Sequence, residues 1–459
     1  GVEIATSQPE PLPVDSERGF EPALARARTV MQRLGLNDRS QQMGTRWPIG
    51  CVAVEITQRC NLDCTLCYLS EYSEAVHDLP LAEVYRRLDA VVAHYGAGTD
   101  VQITGGDPTL RKRSELIDIV RYAANLGLRP TLMTNGIKAS ADLLKELAEA
   151  GLMDVAFHVD TTQMRRGFVT EADLNVLRDK YLDRVRGTGL SVMFNTTVHA
   201  DNFDDVPMLV RFFRQRADQV RTVAFQLQAD TGRGVWRERA RHITLESMSD
   251  KVAEGAGAPV DFSVSKIGHP DCSRYALSWV VGQRLFDLFH DRALTQRLQG
   301  LTSTLRFHRN RPRAMVYDAL YWLVTDPRRW SVVPLGTVWV VRNLWRARGS
   351  LFRTSAMRPT TLSFTLHNFM SADRLVRSRI GSCVFKTMTA NGPIAMCLHN
   401  AKRDEFILAP VGEASSTWDP LTGRDTARAA QAPSTVVPTV DLLPKKRLKG
   451  RAKARRLSA

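Results

Sequence analysis

The sequence reads as an α/β protein built on a parallel sheet. Three observations predict this. Between residues 50 and 230, short β-branched runs alternate with helical patterns six times, the signature of βαβ units. The helical patterns carry their own start and stop residues. Ligand-competent residues recur just after the strand runs, where parallel sheets place their sites. Six units fit a partial (β/α)6 barrel. They fit a doubly wound open sheet equally well, and periodicity does not choose between them.

The strands are expected at 52–56, 101–104, 130–134, 155–159, 190–197 and 220–227. Between them, Leu81–Tyr95 puts Leu81, Val84, Leu88, Val91 and Val92 on one face, with Pro80 at its first turn. Ser114–Leu126 stops at Gly127, and Ser140–Ala150 runs from a serine cap to Gly151. Helices are also expected at 170–186 and 206–216. Residues 1–49 form an appendage with one helix, capped by Ser16 and striped by Leu24, Val30, Met31 and Leu34. Residues 231–410 switch to an irregular stretch and then helices, and read as a substrate or auxiliary-metal domain. Residues 411–459 lose periodicity and read as a disordered basic tail.

The 459 residues are 44% hydrophobic, enough for a sizeable core and more than one domain. No run of 18 apolar residues occurs, so no membrane span is expected. The first residues lack a basic-then-apolar leader, and seven cysteines do not suggest a disulfide framework. A reducing, cytoplasmic setting is the expectation. The net charge is +15; eight of the positive charges lie between Lys445 and Arg456, and without them it is +7. Such a tail suits an anionic membrane surface or nucleic acid. No nucleic-acid recognition module is evident, so nucleic acid ranks last among partners.

The chemistry centres on Cys60, Cys64 and Cys67, in the loop after the first strand. Three thiolates this close suit one metal centre. A tetrahedral zinc site would need a fourth ligand nearby, usually in a second Cys or His pair. None follows at that spacing. A [4Fe–4S] cluster held by three thiolates keeps one iron open for a small molecule.

The CxxxCxxC spacing resembles the signature of the radical S-adenosylmethionine (SAM) superfamily. That resemblance implies a partial (β/α)6 barrel, with SAM bound to the open iron by its amino and carboxylate groups. It also implies an external electron donor of flavodoxin or ferredoxin type. The aromatic residue that the family often carries before the last cysteine is Leu66 here, with Tyr68 one place later. After the second strand, Gly105-Gly106-Asp107-Pro108 resembles the family's GGEP motif, with Asp replacing Glu. By analogy these four residues, Asn135 after the third strand and Asn195 on the fifth are SAM contacts. His158 and Asp160 fall on one face at the fourth strand, as SAM or substrate contacts or as a satisfied core pair. No residue stands out as the catalyst of substrate chemistry.

Two further cysteine segments follow: Cys272 in His269-Pro270-Asp271-Cys272, and Cys383 with Cys397 flanking an expected hairpin at Asn391-Gly392. They resemble the C-terminal region of a radical SAM subgroup that includes archaeal tetraether-lipid synthases and pterin-pathway methylases. That resemblance implies a second metal centre or iron–sulfur cluster at Cys272, Cys383 and Cys397, with Cys51 the remaining candidate ligand. Residues 327–353 interleave Trp and Arg around an apolar stretch too short to span a bilayer. They suit a peripheral membrane helix or a core helix with a basic rim. The expected function is reductive SAM cleavage and hydrogen abstraction from an unactivated carbon, on a lipid or alternatively on a peptide or protein. A non-catalytic metal- or nucleic-acid-binding protein is the reading from another class.

Overall fold

The computed structural model describes residues 4–5, 22–36, 49–234, 241–305, 312–353, 359–408 and 418–425. The strand runs of the sequence become β1 (Cys51–Thr57), β2 (Asp100–Gly105), β3 (Arg129–Thr134), β4 (Asp154–His158), β5 (Ser191–Val198) and β6 (Val220–Leu227). They pair in parallel, each with the next in sequence. A doubly wound sheet would reverse its order at a switch point. The consecutive order selects the barrel.

After α1 (Ala23–Arg33), the connecting helices are α2 (Leu81–Tyr95), α3 (Arg113–Asn125), α4 (Ala141–Glu149), α5 (Asn175–Val185) and α6 (Val206–Arg214). Strand alternation sorts the two faces. Val52, Val54 and Ile56 of β1 enter the core cluster and are fully buried against the helices, each worth roughly 1.5–3 kcal/mol of apolar burial. Ala53 and Glu55 between them face an internal cavity.

Residues 231–408 add strands to both edges of this sheet. β10 (Thr360–Asn368) pairs in parallel with β6 and antiparallel with β8 (Ser273–Val281). β7 (Ser265–Lys266) and β9 (Arg284–Asp287) flank β8. At the other edge, β11 (Phe385–Thr389) runs parallel to β1, and β12 (Gly392–Ala395) returns antiparallel. The result is one twelve-stranded sheet. Its two ends approach where the His367 and Phe385 rings meet edge-on at 4.9 Å. Helices α7 (Leu245–Ala256), α8 (Arg292–Leu301), α9 (Pro312–Val324), α10 (Val332–Arg353), α11 (Arg377–Gly381), α12 (Met396–Ala401) and α13 (Arg403–Ile407) complete the described residues.

Four expectations shift. Ser16 lies outside the described residues, and α1 starts after Pro22. The helix expected from Thr170 begins at Asn175; Thr170 and Asp173 form a reciprocal cap at its entry, and residues 171–174 make a turn before the regular helix. The hairpin loop is Ala390-Asn391, with Gly392 already paired to Thr389 at φ +131°. In the stretch expected to be a tail, Trp418–Asp419 and Arg424–Asp425 pair as a small hairpin. Lys402 holds it through the Thr422 carbonyl. Residues 411–417 and 426–459 lie outside the described residues.

Candidate active site

The cysteine loop leaves the C-terminal end of β1 and is anchored on several sides. Arg59 pairs with Asp78 at 2.5 Å and donates to the Leu110 carbonyl. The Cys60 amide donates to Glu74, and the Thr65 amide donates to the Thr162 carbonyl at 2.8 Å. Cys60, Cys64 and Cys67 all line the main cavity, of about 1460 Å³, which runs through the barrel. Burial, and then the neighbouring Cys67 and Cys60, push the Cys64 thiol well above its ordinary value. Clustered thiols that raise one another gain most when ligation by a cation deprotonates them. Among the described residues, no three His, Cys, Asp or Glu side chains converge on one metal ion. A cluster asks something different, since each thiolate takes its own iron.

The glycine pair packs directly on the cysteine loop. A Cβ on Gly105 would lie 1.9 Å from the Thr57 carbonyl oxygen, and one on Gly106 would lie 2.0 Å from that of Arg59. The close approach is to the backbone leading into the cysteines. Gly106 and Asp107 donate their amides to those same carbonyls at 2.9 and 2.8 Å.

Gly105, Gly106, Asn135 and Asn195 line the cavity; Asp107 and Pro108 do not. Asp107 is fully buried and accepts from the Thr109 amide and hydroxyl, the Thr134 hydroxyl and the Asn135 amide. The Asp107 carboxylate thus does not face the cavity. The short carboxylate folds back as the cap of the 3-10 turn Pro108–Leu110 and fixes the β3 loop. That loop carries Asn135, whose amide donates to Asn61 at 2.7 Å and lies 3.9 Å from the Cys60 sulfur.

His158 and Asp160 pair at 2.6 Å. Asp160 is fully buried and also accepts the Thr162 and Thr197 amides, so it serves structure, while His158 lines the cavity. Gln226 also lines it; Gln228 turns to Asp230 instead.

Two arginines were not legible in the sequence. Gly232-Arg233-Gly234 runs along the cysteine loop, with the Arg233 amide on the Leu69 carbonyl and the Gly234 amide on that of Cys67. The Arg233 side chain is fully buried beside Glu74, Cys67 and Cys60. Its flanking glycines were the available signal: a Cβ on Gly232 would lie 2.3 Å from Tyr68 backbone. Arg403, on α13, donates to both Glu55 oxygens at 2.8 Å and stacks 4.6 Å over the Tyr68 ring. The Tyr68 hydroxyl donates to the Gly105 carbonyl at 2.6 Å. A residue 300 positions downstream thereby steadies the link between cysteine loop and glycine pair.

Cys272, Cys383 and Cys397 come together where the sheet ends meet. Arg379 donates to the Cys272 sulfur at 3.1 Å, and the Met370 amide donates to Cys397 at 3.4 Å. Cys383 reaches the Phe385 carbonyl at 3.0 Å. Burial first, with Cys383 adding to it, pushes the Cys272 thiol to about 11 and that of Cys397 to about 12. Cys51, on β1, is buried.

A family model described as the radical SAM superfamily matches residues 54–213. The match covers the stretch from β1 to α6 that holds the cysteine trio and the glycine pair. It is 28% identical over 186 residues to a 7,8-dihydro-6-hydroxymethylpterin dimethyltransferase of Methanocaldococcus jannaschii, covering 39% of this chain and 36% of the relative. It is 31% identical over 166 residues to a PqqA peptide cyclase of Methylobacterium nodulans, covering 36% and 42%. A GTP 3',8-cyclase of Chlorobaculum tepidum matches at 29% over 228 residues, covering 48% and 68%. The chain therefore spans well under half the length of the first two. Among solved structures, Streptococcus suis SuiB bound to precursor peptide SuiA overlays half of each chain with a TM-score of 0.36 at 16% identity. The superfamily's cofactors are a [4Fe–4S] cluster and SAM, and the clustered thiols beside a buried cation fit the former.

Arg233 supplies that cation. Replacing it with Gln in the iron-loaded protein lowers the cluster's reduction potential, because the more negative reduced state loses a buried positive neighbour. A unit charge at short range and an effective dielectric of about 20 is worth about 2–4 kcal/mol, on the order of 100 mV for one electron. Arg233→Lys recovers part of this. An EPR-monitored redox titration measures it, and an unchanged potential in Arg233→Gln refutes the assignment.

Proposed function

We propose that this chain is a radical SAM enzyme that abstracts hydrogen from an unactivated carbon of a substrate held in the barrel. The observation that carries this is the cysteine trio at the cavity wall, backed by the glycine pair and the buried Arg233. When bound, the cluster and SAM supply reductive cleavage of the sulfonium bond and a 5′-deoxyadenosyl radical. Cys60, Cys64 and Cys67 hold the iron. The backbone at Gly105 and Gly106, with Asn135 and Asn195, orients SAM. Asp107 holds the loop that presents Asn135. The barrel wall and the Arg403 contact keep bulk water from the reacting carbon. An external reductant of flavodoxin or ferredoxin type delivers the electron.

The substrate reading is a lipid or other long-chain molecule, met by a protein peripheral to the membrane. It is supported by the Trp- and Arg-rich segment at residues 327–353. A peptide or protein side chain is the second reading, favoured by the 31% identity to PqqA peptide cyclases. Cys272, Cys383 and Cys397 are read as ligands of a second iron–sulfur centre bridging the sheet ends.

Anaerobic reconstitution with iron, sulfide, SAM and dithionite tests the core reading. Wild type yields 5′-deoxyadenosine and Cys64→Ala yields none. A wild type that loads no cluster, or an equally active Cys64→Ala, overturns it in favour of a binding protein. Iron and sulfide per chain, compared between wild type and Cys383→Ala, tests the second centre, which predicts a drop of one cluster.

A further inference from the structure

Exposed apolar surface is concentrated on one arm. Thirteen of the nineteen exposed large apolar side chains among the described residues lie between Val316 and Phe352. On α9, Val316, Tyr317, Leu320, Tyr321 and Val324 follow helical spacing and stand 56–69% exposed. On α10, Val341, Leu344, Trp345 and Phe352 are exposed.

The opposite stripe of α10 is the docked one. Trp339 donates to the Leu288 carbonyl and to Thr295, Arg346 donates to the Asp287 carbonyl, and Asn343 and Ala347 are buried. The helix is therefore held on the body by one face while the other presents apolar side chains outward. A contiguous apolar surface of this kind marks a contact with something.

The chemistry around the patch identifies the occupant. Residues 316–352 hold five arginines (Arg328, Arg329, Arg342, Arg346 and Arg348) against two acids, Asp318 and Asp326. Arg348 lies 4.1 Å over the exposed Trp345 ring, so a cation rims the apolar stripe. Tyr, Trp and Arg around an apolar stripe match the headgroup boundary of a bilayer. Excess positive charge selects anionic lipid. A second copy of the same face would set arginine against arginine. Among the described residues, no helix is long and apolar enough to cross a membrane, so the arm lies along the surface.

We infer that α9 and α10 dock this protein on an anionic bilayer, inserting the exposed stripe and placing the exposed Arg328 and Arg348 at the lipid phosphates. This rests on the peripheral-membrane part of the proposed function and not on its radical chemistry.

Vesicle flotation of the full chain tests it. Protein floats with phosphatidylcholine vesicles containing about a third phosphatidylglycerol, floats poorly with phosphatidylcholine alone, and is released by salt. Leu344→Glu/Trp345→Glu lowers the anionic-vesicle partition at least about tenfold. Val169→Glu, at an apolar site 84% exposed on the barrel side, leaves it unchanged. Circular dichroism confirms that each variant is folded. Absence of flotation by wild type overturns the inference. So does undiminished flotation of the double variant, which would assign binding to another part of the chain such as Lys445–Arg456. A dimer dispersed by the double variant, without wild-type flotation, overturns it in favour of self-association. Production of 5′-deoxyadenosine by the same variants is scored separately, so a failure of docking and a failure of SAM chemistry are told apart.

Discussion

Gly106→Ala yields a protein that no longer loads iron on the cysteine loop and makes no 5′-deoxyadenosine. The added methyl would sit 2.0 Å from the Arg59 carbonyl oxygen, 2.5 Å from its carbon and 2.8 Å from the Gln58 oxygen. All three are backbone atoms, so no side chain can swing aside. The strand-to-loop turn at residues 58–60 has to move instead. Its movement breaks the Asp107 amide bond to Arg59, a cost of about 1 kcal/mol. The larger consequence is geometric, because Cys60 is the next residue. Three sulfurs that must meet three irons tolerate little displacement. The helix-facing core of β1 lies on the other side of the sheet, so the fold survives. Iron per chain and visible absorption after anaerobic reconstitution measure the effect, with thermal unfolding as control. Full iron loading in a folded Gly106→Ala protein refutes this account.

Arg403→Leu is expected to cost roughly 3–5 kcal/mol of stability near neutral pH, because it strands a buried carboxylate. Burial by itself would push Glu55 up. The Arg403 guanidinium, helped by His399 and then Gln58, overrides burial and holds it at about 2, against an ordinary 4.5. A lowered folded-state value stabilises the fold above the unfolded value, and that contribution fades as pH falls from about 4.5 towards 2. The wild type should therefore weaken over that window. In Arg403→Leu the strongest lowering interaction is gone and burial is opposed only by His399 and Gln58, so acid protonates Glu55 more readily and relieves the penalty. The stability gap between the two proteins closes on acidification. Adding Glu55→Gln to Arg403→Leu should restore part of the loss at pH 7, as expected for directly coupled partners. Urea unfolding at neutral and acid pH measures both. A gap independent of pH, or no rescue by Glu55→Gln, rules out the pairing as the cause.

Arg403 also marks the boundary of what local pattern conveys. The run Val52–Ile56 and its five successors were readable because β-branched strands and amphipathic helices alternate with fixed periods. The parallel α/β class of residues 50–230 followed from that, while the choice of barrel rests on the strand order. The cysteine loop was equally readable, since three thiols within eight residues and a strand just before them are local facts. The direction of the Asp107 side chain is not readable, because a motif gives composition and not direction. The carboxylate finds the Thr109 and Asn135 amides at hydrogen-bond distance and turns away from the cavity. The regular helix after Thr170 starts only at Asn175, because residues 171–174 form a turn behind the Thr170–Asp173 cap.

The sequence by itself determined a parallel α/β core with three clustered cysteines after its first strand, because those features depend on neighbours in the chain. The tertiary structure alone decided which distant residues complete them. Pairing of β10 with β6 and of β11 with β1 brings Arg403 onto Glu55, gathers Cys272, Cys383 and Cys397 at one seam, and lays Arg233 beside the thiols. No periodic signal encodes such partners. Each contact exists only once long loops have closed, and the free energy that selects it is the satisfaction of a buried charge or hydrogen bond within the assembled sheet.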